Sequence, residues 1–142
     1  MFTILRTANT PTLLCRLAVG LIFVSEGLQK YLLPDALGPG RFDKIGFSHP
    51  SFWAFFTGAF EIGCGILILI GLITRLAAIP LLIIMIVAFI TTKVPILVDK
   101  GILAMAHEYR VDFAMTLLLI FLVIYGGGNY SVDKKLTISR KV

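Results

Sequence analysis

Four stretches of about 20 mainly apolar residues constrain this chain more than any other feature: Thr12–Leu33, Ser51–Ile73, Leu76–Val94 and His107–Tyr125. Each is about as long as a helix needs to be to cross a hydrocarbon layer of about 30 Å. In lipid every backbone N–H and C=O must be paired within the protein. That leaves helices or a closed barrel, and none of the stretches alternates like a barrel strand. A soluble fold fails on composition: 58% of the 142 residues are hydrophobic and 15% charged, against roughly 25% charged in an ordinary globular domain. A chain of this size has no core large enough to hide that surface. The expected fold is all-α, a membrane-embedded antiparallel four-helix bundle forming a single domain over 1–142, with a basic tail at 126–142.

Charge placement sets the expected orientation. With both termini in the cytoplasm, the inner side receives Arg6, Arg16, Arg75, Lys134, Lys135, Arg140 and Lys141, with Asp133 as its acid. The outer side receives Lys30, Arg41, Lys44, Lys93, Lys100 and Arg110, interleaved with Asp35, Asp43, Asp99, Glu108 and Asp112. The compact C-terminal cluster decides between near-equal totals. The expected location is therefore the cell inner membrane, with membrane lipids as partners.

Pro11 suits the start of the first helix, where its missing N–H has no intrahelical partner to lose. Pro34-Asp35 and Gly38-Pro39-Gly40 mark its exit. Arg41 to Phe47 alternates charge with Phe42, Ile45 and Phe47 and reads either as an interfacial lid or as a solvated linker. Phe52, Trp53, Phe55 and Phe56 form an aromatic belt at the entry of the second helix. Small residues on the first helix (Ala18, Gly20, Gly27) and the second (Gly58, Ala59, Gly63, Gly65) predict that these two pack closely. Gly71 to Arg75 leaves almost no connection to the third helix, which Pro80 is placed to kink and Pro95 to end near Lys93. The tail after Gly126-Gly127-Gly128 is expected to fray or to rest on anionic lipid.

The ionisable residues within the spans carry the functional argument. A carboxylate at mid-bilayer is unfavourable by roughly 2.5–3.5 kcal/mol even on lenient scales, so it should face other helices or water. Counting depth at 1.5 Å per residue, Glu61 lies near the centre. Glu26 is a turn further out, Lys30 another turn, and Asp112 at a similar outward depth on the fourth helix, with His107, Glu108 and Arg110 beyond. This ladder is the pattern of a water-accessible outer funnel. Glu26 and Lys30, four apart, form either an internal ion pair or part of a site that binds a polar head group or moves a proton. Glu61 either finds a cation on another helix or stays protonated. Arg16 and Arg75 read as snorkelling or lipid-phosphate contacts, or as a site for an anionic cytoplasmic partner. Cys15 and Cys64 differ too much in depth for a disulfide.

Several chemistries lack support in this sequence. It contains no Gly-rich phosphate loop, no nucleophile elbow and no His/Cys set at metal spacing; His49 and His107 stand alone. The formal charge of +5 reflects the basic tail, and no loop clusters Lys and Arg as nucleic-acid binding needs. Neither metal nor nucleic acid is expected.

One constellation spans nearly the whole chain: Arg16 to Gly20, Phe23, Gly27 and Lys30; Glu61-Ile62-Gly63-Cys64-Gly65 with Leu67, Gly71, Thr74 and Arg75; and Tyr125-Gly126-Gly127-Gly128-Asn129-Tyr130-Ser131-Val132-Asp133. It resembles the DoxX family of small four-helix membrane proteins. The resemblance implies a membrane subunit of thiosulfate:quinone oxidoreductase type, or of a complex managing thiol or oxidative stress. Cys64 then stands where the family often has glycine. In that reading Glu61, Glu26 and Lys30 are the catalytic candidates. Glu26, Lys30, Glu61, Asp112 and His107 would hold a quinone head group, and a redox partner subunit would supply the electron carrier. The alternative is a non-enzymatic scaffold or a binder of lipid or small molecules, transporter-like only as a homo-oligomer because inverted repeats are missing.

Overall fold

A computed structural model describes residues 9–140, and every described element is helical. Arg6 and Lys141, counted above in the inner-side charge, lie outside the described residues. The order is α1 (Asn9–Leu32), α2 (Pro39–Ile45), α3 (Pro50–Ile70), α4 (Thr74–Ala88), a π-helical turn (Phe89–Lys93), α5 (Val94–Lys100), α6 (Ile102–Tyr125) and α7 (Val132–Ser139). Three helical stretches are long and apolar enough to cross a membrane: Pro11–Leu32, Pro50–Ile70 and Thr74–Lys100. The fourth expected span, His107–Tyr125, lies within α6 and reaches its C-terminal end, but Glu108, Arg110 and Asp112 interrupt the apolar run near its start.

The α1–α3 seam has the most extensive packing, followed by α4 with α6 and then, equally, α3 with α2 and with α4. Its closeness comes from glycine. A Cβ on Gly27 would lie 2.7 Å from the Gly58 carbonyl oxygen, and one on Gly20 would lie 2.4 Å from Leu69. Gly63, predicted for the same seam, faces open space instead. Gly27→Ala is therefore expected to destabilise the protein by about 1–3 kcal/mol, because backbone has to move. Gly63→Ala should be neutral or slightly stabilising through helix propensity. Thermal unfolding of the two variants in mild detergent checks this, and equal melting would remove the glycine seam as the reason for the packing.

Beneath the seam lies an apolar layer that includes Val19, Phe23, Ile68, Leu81 and Leu119, each at most 4% exposed. It separates two polar regions, one at the end bearing α2 and one at the end bearing the α3–α4 turn.

Pro95 does not end the third rod, which continues to Lys100. In the π turn each bond reaches one residue further back than in an α-helix. The widened turn therefore absorbs the missing N–H and the ring of Pro95. The Thr91 and Thr92 hydroxyls donate to the Val87 and Ala88 carbonyls at 2.8 and 2.5 Å, which helps satisfy oxygens left by the changed register. Pro80 sits inside α4 without breaking it.

The tail is not frayed. Ser131 caps α7, accepting from the Lys134 N–H at 3.3 Å. The Asp133 carboxylate accepts from the Ile73 and Thr74 N–H groups at 2.7 and 3.1 Å. The Asp133 N–H returns a bond to the Gly71 carbonyl at 3.0 Å. These bonds hold a strained turn, since Ile73 is β-branched yet has φ of 45°.

Arg16 also departs from expectation. It neither snorkels nor faces a partner but is 2% exposed. Its guanidinium donates to four carbonyls: Ile68 at 2.9 Å, Leu69 at 2.6 Å, Gly127 at 3.2 Å and Tyr130 at 2.7 Å. Carbonyls of the last turn of α3 lack intrahelical donors, and a planar, always-charged fork satisfies several of them at once.

Candidate functional site

The polar region at the α2 end surrounds a cavity of about 660 Å³, within the range of small-molecule sites. Phe23, Met85 and Met115 line its apolar depth. Trp53 and Phe56 contribute aromatic wall from α3, their rings 6.0 Å apart and edge to face. Helix α2 lies across one side, with Arg41, Phe42 and Ile45 in the lining, so the lid reading of this segment matches its placement. Phe47 tethers it, its ring 5.2 Å from Phe42 and 6.4 Å from Trp53. At the C-terminal end of α2, Gly46 turns the chain in the left-handed region with φ of 99°.

The polar depth of the cavity is built from two ion pairs. The Lys30 ammonium meets Glu61 Oε2 at 2.7 Å, with the two side chains 11% and 6% exposed. Helical side chains lean toward their own N-terminus. Because α1 and α3 are antiparallel, Lys30 leans deeper into the protein while Glu61 leans up toward the cavity. They meet beside the Gly27–Gly58 contact. The second pair joins Lys93 of the π turn to Asp112 of α6 at 3.2 Å.

The expected Glu26–Lys30 pair does not form; Lys30 is committed to Glu61. Glu26 is exposed and lines the cavity, where water can solvate it. A carboxylate buried in a helix seam needs a cation more than one facing a cavity does, which decides the competition. His107 is not brought to the site. It lies exposed outside the lining, with its ring against Arg110 one turn on, 2.6 Å from Nε2 to Nη1. Asp112 does line the cavity, as expected.

Sequence reading missed Lys93 and Arg41 as members of the site. Lys93 was hidden because Pro95 was read as a helix end, although Thr91-Thr92 before a proline, with hydroxyls able to bond back, was a signal for a widened turn. Of the charged lining residues, Glu26, Arg41 and Glu108 form no ion pair among the described residues. The site thus offers two neutralised pairs in its depth and three free charges nearer its mouth. The pairs can present an ammonium donor to a ligand oxygen or exchange a proton, and the aromatic and methionine walls can hold an apolar ring.

Residues 12–94 match the DoxX family, a segment that contains Arg16, Glu26, Lys30, Glu61 and Lys93. The uncharacterized membrane protein Rv3486 of Mycobacterium tuberculosis is 47% identical, over 94% of this chain and 86% of that protein. No solved structure matches the chain.

Proposed function

The chain is a membrane protein of the DoxX family, and from that premise we propose that it is the membrane subunit of a quinone-linked oxidoreductase or thiol/oxidative-stress complex. In this reading it sits in the cell inner membrane as a four-span bundle, α6 being the fourth span. Both termini are cytoplasmic and the cavity opens outward. A partner subunit supplies the electron carrier, and the cavity takes the quinone head group.

The observation that carries this reading is the buried Lys30–Glu61 pair in a cavity that also has an aromatic wall of Trp53 and Phe56. The residues present fit a flat apolar ring with oxygens at its edge. Phe56 and Trp53 supply contact surface, and the Lys30 ammonium supplies a donor. A bound quinone contributes two-electron, two-proton chemistry. The chain's own part is to orient the ring, exclude bulk water beneath α2, and move protons. Glu61 is the deep proton donor or acceptor. Glu26, facing the cavity, and Asp112 on the opposite wall connect it to the outer side.

Trp53 is the sole tryptophan of the chain and lines the cavity, so its fluorescence reports occupancy. Titration with a short-chain quinone is expected to give saturable quenching. The double variant Lys30→Gln/Glu61→Gln removes both charges together and should weaken it about tenfold, the value of one charge-assisted hydrogen bond. Saturable quenching that is identical in the double variant would remove the pair from the binding site.

A second reading has its own observation. Both deep ion pairs are mutually satisfied, as they would be in a scaffold or lipid binder whose charges only fix helix packing. That reading is upheld if the wild-type protein shows no saturable quenching by quinone while the double variant folds and melts as wild type does.

A further inference from the structure

The opposite end of the molecule carries a second concavity, of about 1060 Å³, bounded by the α3–α4 turn, the Gly126–Gly128 loop and α7. Its charge is one-sided. Arg75, Lys134 and Arg140 line it, and the acid facing them is Asp133. The Asp133 carboxylate is already engaged by the Ile73 and Thr74 N–H groups, so it offers the cations little compensation. Arg75 and Arg140 are exposed, and their side chains form no hydrogen bond or ion pair among the described residues.

Beneath the loop lies an orphan. The Thr74 side chain is fully buried, and its hydroxyl has no hydrogen-bond partner. Buried polar groups are nearly always paired, so an unpaired one calls for an explanation. A Cβ on Gly127 would lie 2.8 Å from that hydroxyl. Bare glycine backbone therefore separates Thr74 from the groove, and a small movement of the loop opens it. The N–H groups of Gly127 and Gly128 donate to no backbone carbonyl among the described residues. Successive free backbone amides in a glycine turn favour an anion. Lys134 is held by the Asn129 side-chain oxygen and Asp133 by the turn amides, which leaves Arg75, Arg140, the loop amides and the unpaired hydroxyl as the open donors of the groove.

We propose that this groove binds a phosphate group, carried by the head group of an anionic lipid in the adjacent leaflet, with Arg75 and Arg140 as its principal cations. Helix α7 is polar on balance and lies over the turn rather than crossing, which places its basic residues at head-group level. The inference does not depend on the ligand of the first cavity.

Native mass spectrometry of the full chain in neutral detergent tests it, titrated separately with phosphatidylglycerol and phosphatidylcholine. Phosphatidylglycerol is expected to bind preferentially. Arg75→Gln/Arg140→Gln should weaken it about thirtyfold, as for two cations near an anionic surface. The charge-matched control Lys44→Gln/Lys100→Gln, at the other end, should leave it intact. Both Arg75 and Arg140 are exposed, so the variant is expected to melt as wild type does. Inorganic phosphate that displaces the lipid supports the phosphate chemistry. If phosphate binds lipid-free protein as tightly as the lipid does, the free ion is the source. Equal weakening by the two double variants, or none by the arginine pair, overturns the site.

Discussion

Arg16→Met is expected to lower the stability of this protein by about 4 kcal/mol or more, the largest effect of any single substitution considered. The guanidinium makes four hydrogen bonds to carbonyls from three places: the last turn of α3, the Gly126–Gly128 loop and Tyr130. Hydrogen bonds to a charged group contribute about 1.5–3 kcal/mol each, and buried acceptors left behind add their own desolvation penalty. Arg16 also lies where the α3 macrodipole is negative, as Asp133 lies where that of α4 is positive. The two side chains clamp opposite ends of one tight turn. A Cβ at Gly71 in that turn would come within 2.7 Å of the Arg16 guanidinium. Lysine cannot substitute, because one ammonium does not reach carbonyls on several sides of a planar fork. Arg16→Lys should thus recover less than half of the loss. Thermal unfolding in mild detergent, with yield from the membrane as a second readout, measures both. Arg16→Met melting within a few degrees of wild type would show that the carbonyls find other donors and that the clamp is dispensable.

That clamp was not legible in the sequence, and the reason is physical. A cation near the end of an apolar span is most often a snorkelling group, and nothing in the spacing of Arg16 shows that a segment more than 100 positions away folds back over it. Tyr125 to Asp133 was informative as a pattern, while its mechanical role depends on tertiary placement. The features that were legible obey local or one-dimensional rules. Of the four spans read from apolar length, three are helices long and apolar enough to cross a membrane, and the small residues of α1 and α3 located the closest seam. Register across that seam was not available, so Glu26, one turn along the same helix, seemed the natural partner of Lys30. Which carboxylate is buried depends on where Gly27 meets Gly58. The Lys93–Asp112 pair was lost for a different reason: a π turn carries the helix past a proline that ordinarily stops one.

The identity of the Lys30 partner leads to the second large effect. Lys30→Gln should destabilise the protein by about 3–5 kcal/mol, because it strands the Glu61 carboxylate in a seam where its side chain is 6% exposed. No second cation on α1 or α3 lies near enough to replace it; Arg16, the other cation of α1, is committed at the far end. Glu61→Gln should be milder, about 1–2 kcal/mol, since the flexible Lys30 stem can turn to Glu26 four residues away. In a Glu26→Gln background that relief disappears, and Glu61→Gln should then approach the cost of Lys30→Gln. The double change Lys30→Gln/Glu61→Gln leaves two amides that can bond each other and no buried charge. It should lie within about 1 kcal/mol of wild type, a coupling energy of at least about 3 kcal/mol. Unfolding of wild type, the two single variants and the double variant in one detergent completes the cycle. Additive losses would show that the two charges are solvated independently. Coupling of Lys30 to Glu26 and not to Glu61 would place the pair at the cavity mouth, and with it the deep proton site assigned to Glu61 would be lost.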